Sequence, residues 1–299
     1  MKIVIAGGTG GIGVKLVKEL QMKHEIIILS RSKDAIISKN VRIINYSNDN
    51  HNWFESINKS DVIINLVGES INNKRWSENQ KKIILNSRLN SVQKISKALK
   101  SINHKPKLIM NASAIGYYNY SDSIQNENDI NGNHFLSKVC NSWENESVNN
   151  FKSKTDRLVI LRIGVVLDSD SGILSKLSLL FKCGFGAIIG NGKQSFSWID
   201  IDDVVGSIIH LINLEISGPV NLTAPADDTN YSFSKKLGNV LKRPVFIRIP
   251  KFFINLLLGE MSQIATKSLN IEPKILLDSG YKFKFSNIKE SLKKNYIKD

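Results

Sequence analysis

The residues whose types and spacing best suit ligand binding form a glycine-rich turn near the start of the chain, Gly7-Gly8-Thr9-Gly10-Gly11-Ile12-Gly13. Gly7 permits a tight turn, Gly10 lets the backbone approach a diphosphate, and Gly13 lets a following helix pack close to the preceding strand. Free N–H groups and the dipole at a helix N-terminus favour the negative charge of a diphosphate. The turn is therefore predicted to bind a dinucleotide cofactor, and a purely structural glycine turn is the alternative.

The residues at the end of the second strand decide which dinucleotide fits. A carboxylate there would hydrogen-bond the adenosine ribose hydroxyls and repel a 2′-phosphate. This chain instead reads Leu29-Ser30-Arg31-Ser32-Lys33. Arg31 can pair with a phosphate, with Ser30 and Ser32 as donors, so NADP(H) is predicted in preference to NAD(H). An ordinary exposed arginine is the alternative.

The elements that position these residues are short apolar runs alternating with amphipathic segments, as in a parallel sheet flanked by helices. Six strands are predicted, at Lys2–Ala6, Ile26–Leu29, Val41–Ile44, Val62–Leu66, Leu108–Asn111 and Leu158–Arg162. Apolar residues recur at helical spacing in two segments, "GIGVKLVKELQ" and "NQKKIILNSRLNSVQKISKAL". The predicted fold class is therefore α/β, with a doubly wound parallel sheet of the Rossmann type.

After Ile163 the pattern changes to that of a smaller α+β part. The segment "GAIIGNGKQSFSWIDIDD" predicts a hairpin with its turn at Gly190-Asn191-Gly192, followed by a helix and the short strand "PVNLTA". The strand "RPVFIRIP" and the apolar helix "KFFINLLLGEM" come next. We place a dinucleotide-binding domain at 1–163 and a substrate-facing region at 164–299. The boundary is soft because no linker or repeat separates the two.

Composition limits the classes of partner. The chain has 299 residues, 41% of them hydrophobic, enough to bury a sizeable core. Its longest apolar stretches, such as Phe252–Gly259, fall short of the about 20 residues that cross a bilayer, so we expect no membrane partner, no leader and a cytoplasmic location. The net charge of +14 comes from lysines scattered among asparagines, so no nucleic-acid partner is expected. Cys140 and Cys183 form no C-x-x-C pair, and no metal site is predicted.

Further stretches resemble a known family. "DVIINLVG" (Asp61–Gly68) is similar to the fourth strand of extended, epimerase-like short-chain dehydrogenases/reductases, and "NASAIGYY" (Asn111–Tyr118) is similar to their fifth-strand segment. Other motifs resemble an atypical subgroup, the NAD(P)-dependent epimerase/dehydratase family proteins with a C-terminal domain of unknown function, some of which carry the label of cell-division inhibitor. These motifs are "NLVGESINNKRW", "ILNSR", "FLSKVCNSWE", "GNGKQSFSWI", "VNLTAPADDTN", "GEM" and "IEPKILLDSGYKFKF". The resemblance covers essentially the whole chain.

The resemblance implies several site residues. The end of the fourth strand, Leu66-Val67-Gly68, would border the cofactor, and Ser113 would correspond to the active-site serine. Typical members pair that serine with a tyrosine and a lysine, but Leu136 and Cys140 occupy those positions here. A neutral thiol, with an ordinary pKa of about 8.5, cannot supply the fixed positive charge of the lysine. In the subgroup, cysteine is usual at that position, and Arg88 would bring a cation from another helix and contact the cofactor. Simple pairing with a carboxylate is the alternative for Arg88.

Proton transfer, if the chain is an enzyme, must then come from another side chain. Tyr117, four residues after Ser113, is the best candidate donor, with Tyr118 close behind, and lining of the substrate pocket or packing is the alternative for both. Glu69, which follows a strand end, could act as an acid or base, and helix capping or a salt bridge is the alternative. Cys140 could be a nucleophile, but a buried helical cysteine is more often a small core residue.

Together these features predict an NADP(H)-binding oxidoreductase or epimerase-like protein that transfers hydride to or from a small-molecule substrate held between its two parts. The alternative is a catalytically silent NADPH-binding sensor or partner-docking protein. The sequence leaves the oligomeric state open, a homodimer included. The chain also departs from the family pattern, with Asp200 where histidine is common and Asn119 where glycine is common, so no role is carried over for that histidine.

Overall fold

The computed structural model describes residues 1–47, 53–226 and 228–297. Its strands are β1 Lys2–Ala6, β2 Glu25–Ser30, β3 Ala35–Ser38, β4 Val41–Asn45, β5 Val62–Asn65, β6 Leu108–Ala114, β7 Ser121–Gln125, β8 Arg157–Ile163, β9 Val165–Leu167, β10 Ala187–Ile189, β11 Trp198–Asp200, β12 Gly218–Leu222, β13 Ile247–Ile249 and β14 Leu269–Ile271. Its helices are α1 Gly11–Leu20, α2 Phe54–Ile57, α3 Glu78–Ser101, α4 Phe135–Phe151, α5 Gly172–Lys182, α6 Ile201–Ile212, α7 Asn230–Val240, α8 Lys251–Leu258, α9 Gln263–Thr266, α10 Lys274–Asp278 and α11 Ile288–Tyr296.

The centre of the molecule is an eight-stranded sheet in the order β12-β8-β6-β5-β1-β2-β4-β3. Neighbouring strands run parallel except for β3, which is antiparallel to β4. The strand order changes direction at β1, between β2 and β5. In a doubly wound sheet, ligands bind beyond the carboxyl ends of the strands at such a switch point. The predicted fold class is confirmed, and the six predicted strands correspond to β1, β2, β4, β5, β6 and β8.

Helices bury both faces of this sheet, which is why its strands are almost continuously apolar. Successive residues of β1 point to opposite faces, so Ile3 and Ile5 pack in one cluster while Val4 and Ala6 pack in the other. Helices α1 and α6 cover the first face, and α3 and α4 cover the second. Each fully buried aliphatic side chain contributes about 1.5–3 kcal/mol relative to an exposed one. This rigid sheet carries the candidate site at its carboxyl edge.

The predicted hairpin at Gly190-Asn191-Gly192 is wrong. β10 pairs in parallel with β13, and β11 pairs in parallel with β9, so the two strands do not pair with each other. Gly190 and Gly192 do have positive φ angles of 61° and 75°, which suit a turn. However, the backbone N–H of Tyr231, from α7, donates to the carbonyl oxygen of Gly192 at 2.9 Å. Long-range contacts therefore replace the local pairing that the sequence suggested.

The second part of the chain is joined to the first through the main sheet. β12 lies beside β8 at one edge of that sheet, although it follows residue 163 in sequence. A separate cluster from α5, α7 and α11 forms the core of the smaller part. The division into 1–163 and 164–299 remains a prediction.

Candidate functional site

The glycine turn joins β1 to α1 at the carboxyl edge of the sheet. Gly7 has a φ of +82°, and a Cβ there would lie 3.1 Å from the carbonyl carbon of Leu66, which follows the neighbouring strand β5. A Cβ on Gly13 would lie 2.5 Å from the carbonyl oxygen of Gly7, so only glycine permits this approach of helix to turn. Residues 9–11 are exposed. The first N–H groups of α1, which lack carbonyl partners within the helix, therefore begin at an open surface suited to an anion.

Hydroxyl groups cluster beside this turn at the end of β2. The Oγ of Ser30 lies 3.4 Å from Thr9 Oγ1 and donates to Ser32 Oγ at 3.2 Å. Arg31 is exposed, and no carboxylate in the described part of the chain forms an ion pair with it. An exposed guanidinium next to several hydroxyls is the kind of donor set that binds a phosphate monoester.

The carboxyl end of β5 lies against the side chain of Arg88, from α3. A Cβ on Gly68 would lie 3.2 Å from the Cζ of Arg88. The Nη1 of Arg88 donates to the carbonyl oxygens of Glu69, at 3.1 Å, and of Ile84, at 2.7 Å. The structure therefore places the guanidinium directly beside segment 66–68, which the resemblance assigns to the cofactor border.

Arg88 is a half-buried cation that lies next to an aromatic ring. Within residues 1–47, 53–226 and 228–297, no carboxylate forms an ion pair with it, and its hydrogen bonds go to backbone carbonyl oxygens. Its Cζ lies 5.0 Å from the ring centroid of Trp143. Burial lowers the pKa of the guanidinium, and nearby Cys140 and Glu69 act in the opposite direction. Such a group can donate hydrogen bonds to an anionic or hydroxyl-bearing ligand.

Ser113 is engaged by a buried ion pair that joins β8 to α4. Its hydroxyl donates to Oε1 of Glu144 at 2.6 Å. Arg162 donates to both carboxylate oxygens, with Nε 3.0 Å from Oε1 and Nη2 2.8 Å from Oε2. All three residues are buried. Because an ionised carboxylate can only accept, the single proton of Ser113 is directed at Glu144, and its Oγ is left as an acceptor for any ligand.

The two tyrosines that follow Ser113 have different environments. Tyr118 is fully buried; its hydroxyl accepts from Arg162 Nη1 at 2.9 Å and donates to Asn221 Oδ1 at 2.7 Å. Burial raises the pKa of Tyr118 to about 12. Tyr117 is half-buried, with the Arg162 Cζ 3.5 Å from its ring centroid. Its hydroxyl has no hydrogen-bond partner in the described part of the chain, so Tyr117 is the tyrosine that remains available to a ligand.

Leu136 and Cys140, to which the resemblance assigns the positions of the usual tyrosine and lysine, lie one turn apart on α4. A Cβ on Gly116 would lie 3.2 Å from Leu136 Cβ and 3.7 Å from Cys140 Sγ. Burial raises the pKa of the Cys140 thiol to about 12, and the charge of Glu144 acts in the same direction. A protonated, buried thiol is a poor nucleophile, so this environment supports the core role of Cys140.

The segment that follows α8 contacts the loop after β5, which carries Glu69 and Arg75. Glu69 is half-buried; its carboxylate has no hydrogen-bond or ion-pair partner among the described residues, although its charge partly offsets the burial that lowers the pKa of Arg88. A Cβ on Gly259 would lie 3.0 Å from Nε of Arg75. Glu260 pairs with Lys81 of α3 at 2.6 Å. The smaller part is thereby attached to the loop after β5 and to α3.

The acidic residues at the start of α6 have a structural role. Asp200, which stands where the family commonly has histidine, is fully buried and pairs with Lys294 of α11 at 2.9 Å. Asp203 accepts from the backbone N–H groups of Lys284, at 2.8 Å, and Phe285, at 2.9 Å. These carboxylates hold the C-terminal segment on the fold, which accounts for them without a role in chemistry.

Sequence reasoning missed Glu144 and Arg162 as site residues. Two signals were present. Arg162 is a charged residue inside the apolar run "LVILRIG", and Glu144 follows Leu136 and Cys140 at spacings of four, which places all three on one helix face. A charge at a buried position needs a partner of opposite charge, so the sequence could have predicted Glu144 and Arg162 as an ion pair.

The described residues narrow the class of protein further. Among residues 1–47, 53–226 and 228–297, no group of three or more His, Cys, Asp or Glu side chains is placed to hold a metal ion. No helix in these ranges is both long and apolar enough to cross a membrane. A doubly wound sheet with a glycine turn at its switch point defines a dinucleotide-binding α/β protein.

The chain belongs to the NAD dependent epimerase/dehydratase family, whose model matches residues 3–222. A domain of unknown function, DUF1731, matches residues 249–294. Epimerase family protein SSP1921 of Staphylococcus saprophyticus is 35% identical over 294 residues, which cover 97% of each chain. The structure of human epimerase family protein SDR39U1 (isoform2) with NADPH is 28% identical, with a TM-score of 0.87 and 99% of each chain covered. The resemblance to the atypical extended short-chain dehydrogenases/reductases is confirmed.

Proposed function

We propose that this chain is an NADP(H)-dependent oxidoreductase or epimerase of the atypical extended type, acting on a small-molecule substrate. The observation that carries the proposal is the close packing of the glycine turn, where the Gly13 position leaves no room for a Cβ. Family membership and full-length likeness to a human protein solved with NADPH support it. The cytoplasmic location and the oligomeric state remain predictions.

The residues present fit a nicotinamide dinucleotide. The turn from Gly7 to Gly13 would hold the diphosphate, Arg31 with its neighbouring hydroxyls the 2′-phosphate, and segment 66–68 with Arg88 the nicotinamide end. When bound, the nicotinamide would donate or accept hydride. Arg88 would take over the positive charge that a lysine supplies in typical family members, because Cys140 is buried and neutral.

The substrate side of the cleft would use the groups that the structure leaves available. Ser113 would orient the reacting oxygen: its Oγ would accept from a substrate hydroxyl while its proton stays directed at Glu144, and it would turn that proton to a substrate carbonyl oxygen, which cannot donate. Tyr117 or Glu69 exchanges the proton, because neither side chain has a hydrogen-bond partner among the described residues. Cys140 and Tyr118 support the site from the core.

Replacement of Arg31 by glutamate is expected to reverse the cofactor preference. The new carboxylate repels the 2′-phosphate and can accept from the ribose hydroxyls, so NADPH affinity should fall by about 10- to 100-fold while NADH affinity is kept or improved. Calorimetric titration of both cofactors measures this. Equal affinity of the unaltered protein for NADH and NADPH would contradict the predicted preference.

The proposed activity is tested by following NADPH consumption with a panel of carbonyl compounds, and by separating the products formed from sugar nucleotides, since epimerisation consumes no net cofactor. Turnover should fall by about 100-fold or more in Ser113→Ala, because the substrate oxygen loses the hydroxyl that orients it. Ser96→Ala is the matched control, since that hydroxyl is buried on α3 and has no hydrogen-bond partner among the described residues.

The second candidate function is a catalytically silent NADPH sensor. The side of α4 that faces Ser113 favours this function, because it carries Leu136 and Cys140 instead of tyrosine and lysine. Tight NADPH binding without turnover on any compound of the panel would support the sensor and overturn the oxidoreductase.

A further inference from the structure

Helix α8 presents an unusual apolar surface to solvent. Phe252, Phe253, Leu256 and Leu257 are exposed by 69%, 58%, 66% and 71% respectively, and we call these four residues the α8 face. No residue of the helix is buried. The preceding residues Phe246 and Ile247 extend the exposed apolar surface. A contiguous exposed apolar surface of this kind marks an interaction site.

The geometry of α8 shows that the face is one-sided. At 100° per residue, the four side chains fall within an arc of about 140°, along a helix about 12 Å long. Ile254 and Leu258, on the other side, are half-buried. The helix therefore rests on the body of the protein through one side and turns its larger apolar side outward, with no described element packed over it.

The segment that carries this face is strongly basic. Five cationic side chains lie between residues 242 and 267, all of them exposed, and none pairs with a carboxylate in the described part of the chain; they are Lys242, Arg243, Arg248, Lys251 and Lys267. The segment contains one acidic residue, Glu260, which is already paired with Lys81. The α8 face therefore belongs to a basic stretch of chain, and a surface that is both apolar and anionic would complement that stretch.

We propose that the α8 face docks on the surface of an anionic lipid bilayer. Phenyl and aliphatic side chains would enter the acyl boundary, while cations of the same segment would meet the phosphate headgroups. Hydrocarbon needs no hydrogen-bond partner, which suits a face whose four side chains can form no hydrogen bond. A second copy of the chain would bring the same cations face to face.

The proposal departs from the sequence-based expectation of no membrane partner, which rested on segment length. Segment length bears on a helix that crosses the bilayer, and no described helix does so. A helix that lies on the surface needs only an apolar side and nearby cations. The docking surface is independent of the cofactor turn, so it stands whether or not the chain turns over a substrate.

The proposal is tested by sedimenting the full chain with phosphatidylcholine vesicles that contain or lack phosphatidylglycerol. We expect binding to the anionic vesicles, weakened by salt. Phe252→Ser combined with Leu256→Ser should lower the affinity by at least about tenfold, because two apolar anchors are lost. The matched control combines Met22→Ser with Ile36→Ser, which alters two residues exposed by 80% and 79%, one just after α1 and one on the edge strand β3, and should stay within about twofold.

Four results would overturn the proposal. The first is failure of the unaltered protein to sediment with anionic vesicles. The second is equal vesicle binding by the α8 variant and the control. The third is self-association that the α8 variant abolishes without any vesicle binding, which would assign the face to a second copy. The fourth is binding to poly-L-glutamate but not to vesicles, which would assign it to an acidic chain.

Discussion

Gly13→Ala is expected to lower the affinity for NADPH by about 100-fold or more. The added Cβ would lie 2.5 Å from the carbonyl oxygen of Gly7 and 2.6 Å from the Cα of Gly8, both of them backbone atoms. The turn or the start of α1 must therefore shift, which moves the N–H groups that would hold the diphosphate. The same strain should lower the free energy of unfolding by about 1–3 kcal/mol. Calorimetry with NADPH and urea denaturation measure the two effects.

Gly10→Ala separates cofactor binding from folding. Gly10 has φ −80° and ψ 171°, which alanine adopts easily, and a Cβ there would meet only the carbonyl oxygen of Gly7, at 3.4 Å. Stability should change by less than about 1 kcal/mol. Affinity should still fall, because the methyl group would occupy the approach path of the diphosphate. Retention of full NADPH affinity by Gly13→Ala would remove the glycine turn from the cofactor site.

Glu144→Ala is expected to lower the free energy of unfolding by about 3–5 kcal/mol. Arg162, whose side chain is 4% exposed, would be left as a buried cation without its counter-charge. Ser113 would lose the acceptor of its hydroxyl proton at the same time. Glu144→Gln keeps the volume and one acceptor oxygen, so its cost should be smaller. Urea denaturation of the three proteins gives the comparison.

The surface pair between Lys105 and Asp156 is the matched control for this prediction. Its charged atoms are 2.9 Å apart, close to the distance in the buried pair, but its side chains are 53% and 60% exposed. Water and salt screen such a pair, so Asp156→Ala should cost no more than about 1 kcal/mol. A Glu144→Ala cost as small as that of Asp156→Ala would show that Arg162 does not depend on this partner.

Much of the fold was predictable because its signals are local. A strand buried on both faces needs a run of apolar residues, and the six predicted strands carry such runs. The glycine turn was predictable for a similar reason, since Gly7 needs a positive φ and Gly13 needs close approach within a few residues of chain. The hairpin prediction was wrong because glycines permit a turn but do not determine which strand pairs with the one that precedes the turn.

The candidate site was only partly predictable. Ser113, Tyr117 and Arg88 entered through their position in recognisable motifs, and their catalytic roles remain predictions. Glu144 and Arg162 lie 18 residues apart on different elements, so their ion pair exists only after α4 packs on the sheet. The same packing buries Tyr118 in the core and leaves Tyr117 available to a ligand.

The sequence by itself determined the doubly wound sheet, the glycine turn and the family, because each depends on residue types at short spacing. Tertiary structure alone decided which side chains share a hydrogen bond, which charges are buried and which apolar face is left uncovered. Helix α8 shows the difference, since its apolar residues are typical of a buried helix and yet no described element covers them. Burial and charge pairing arise from contacts between distant segments, and no local pattern specifies those contacts.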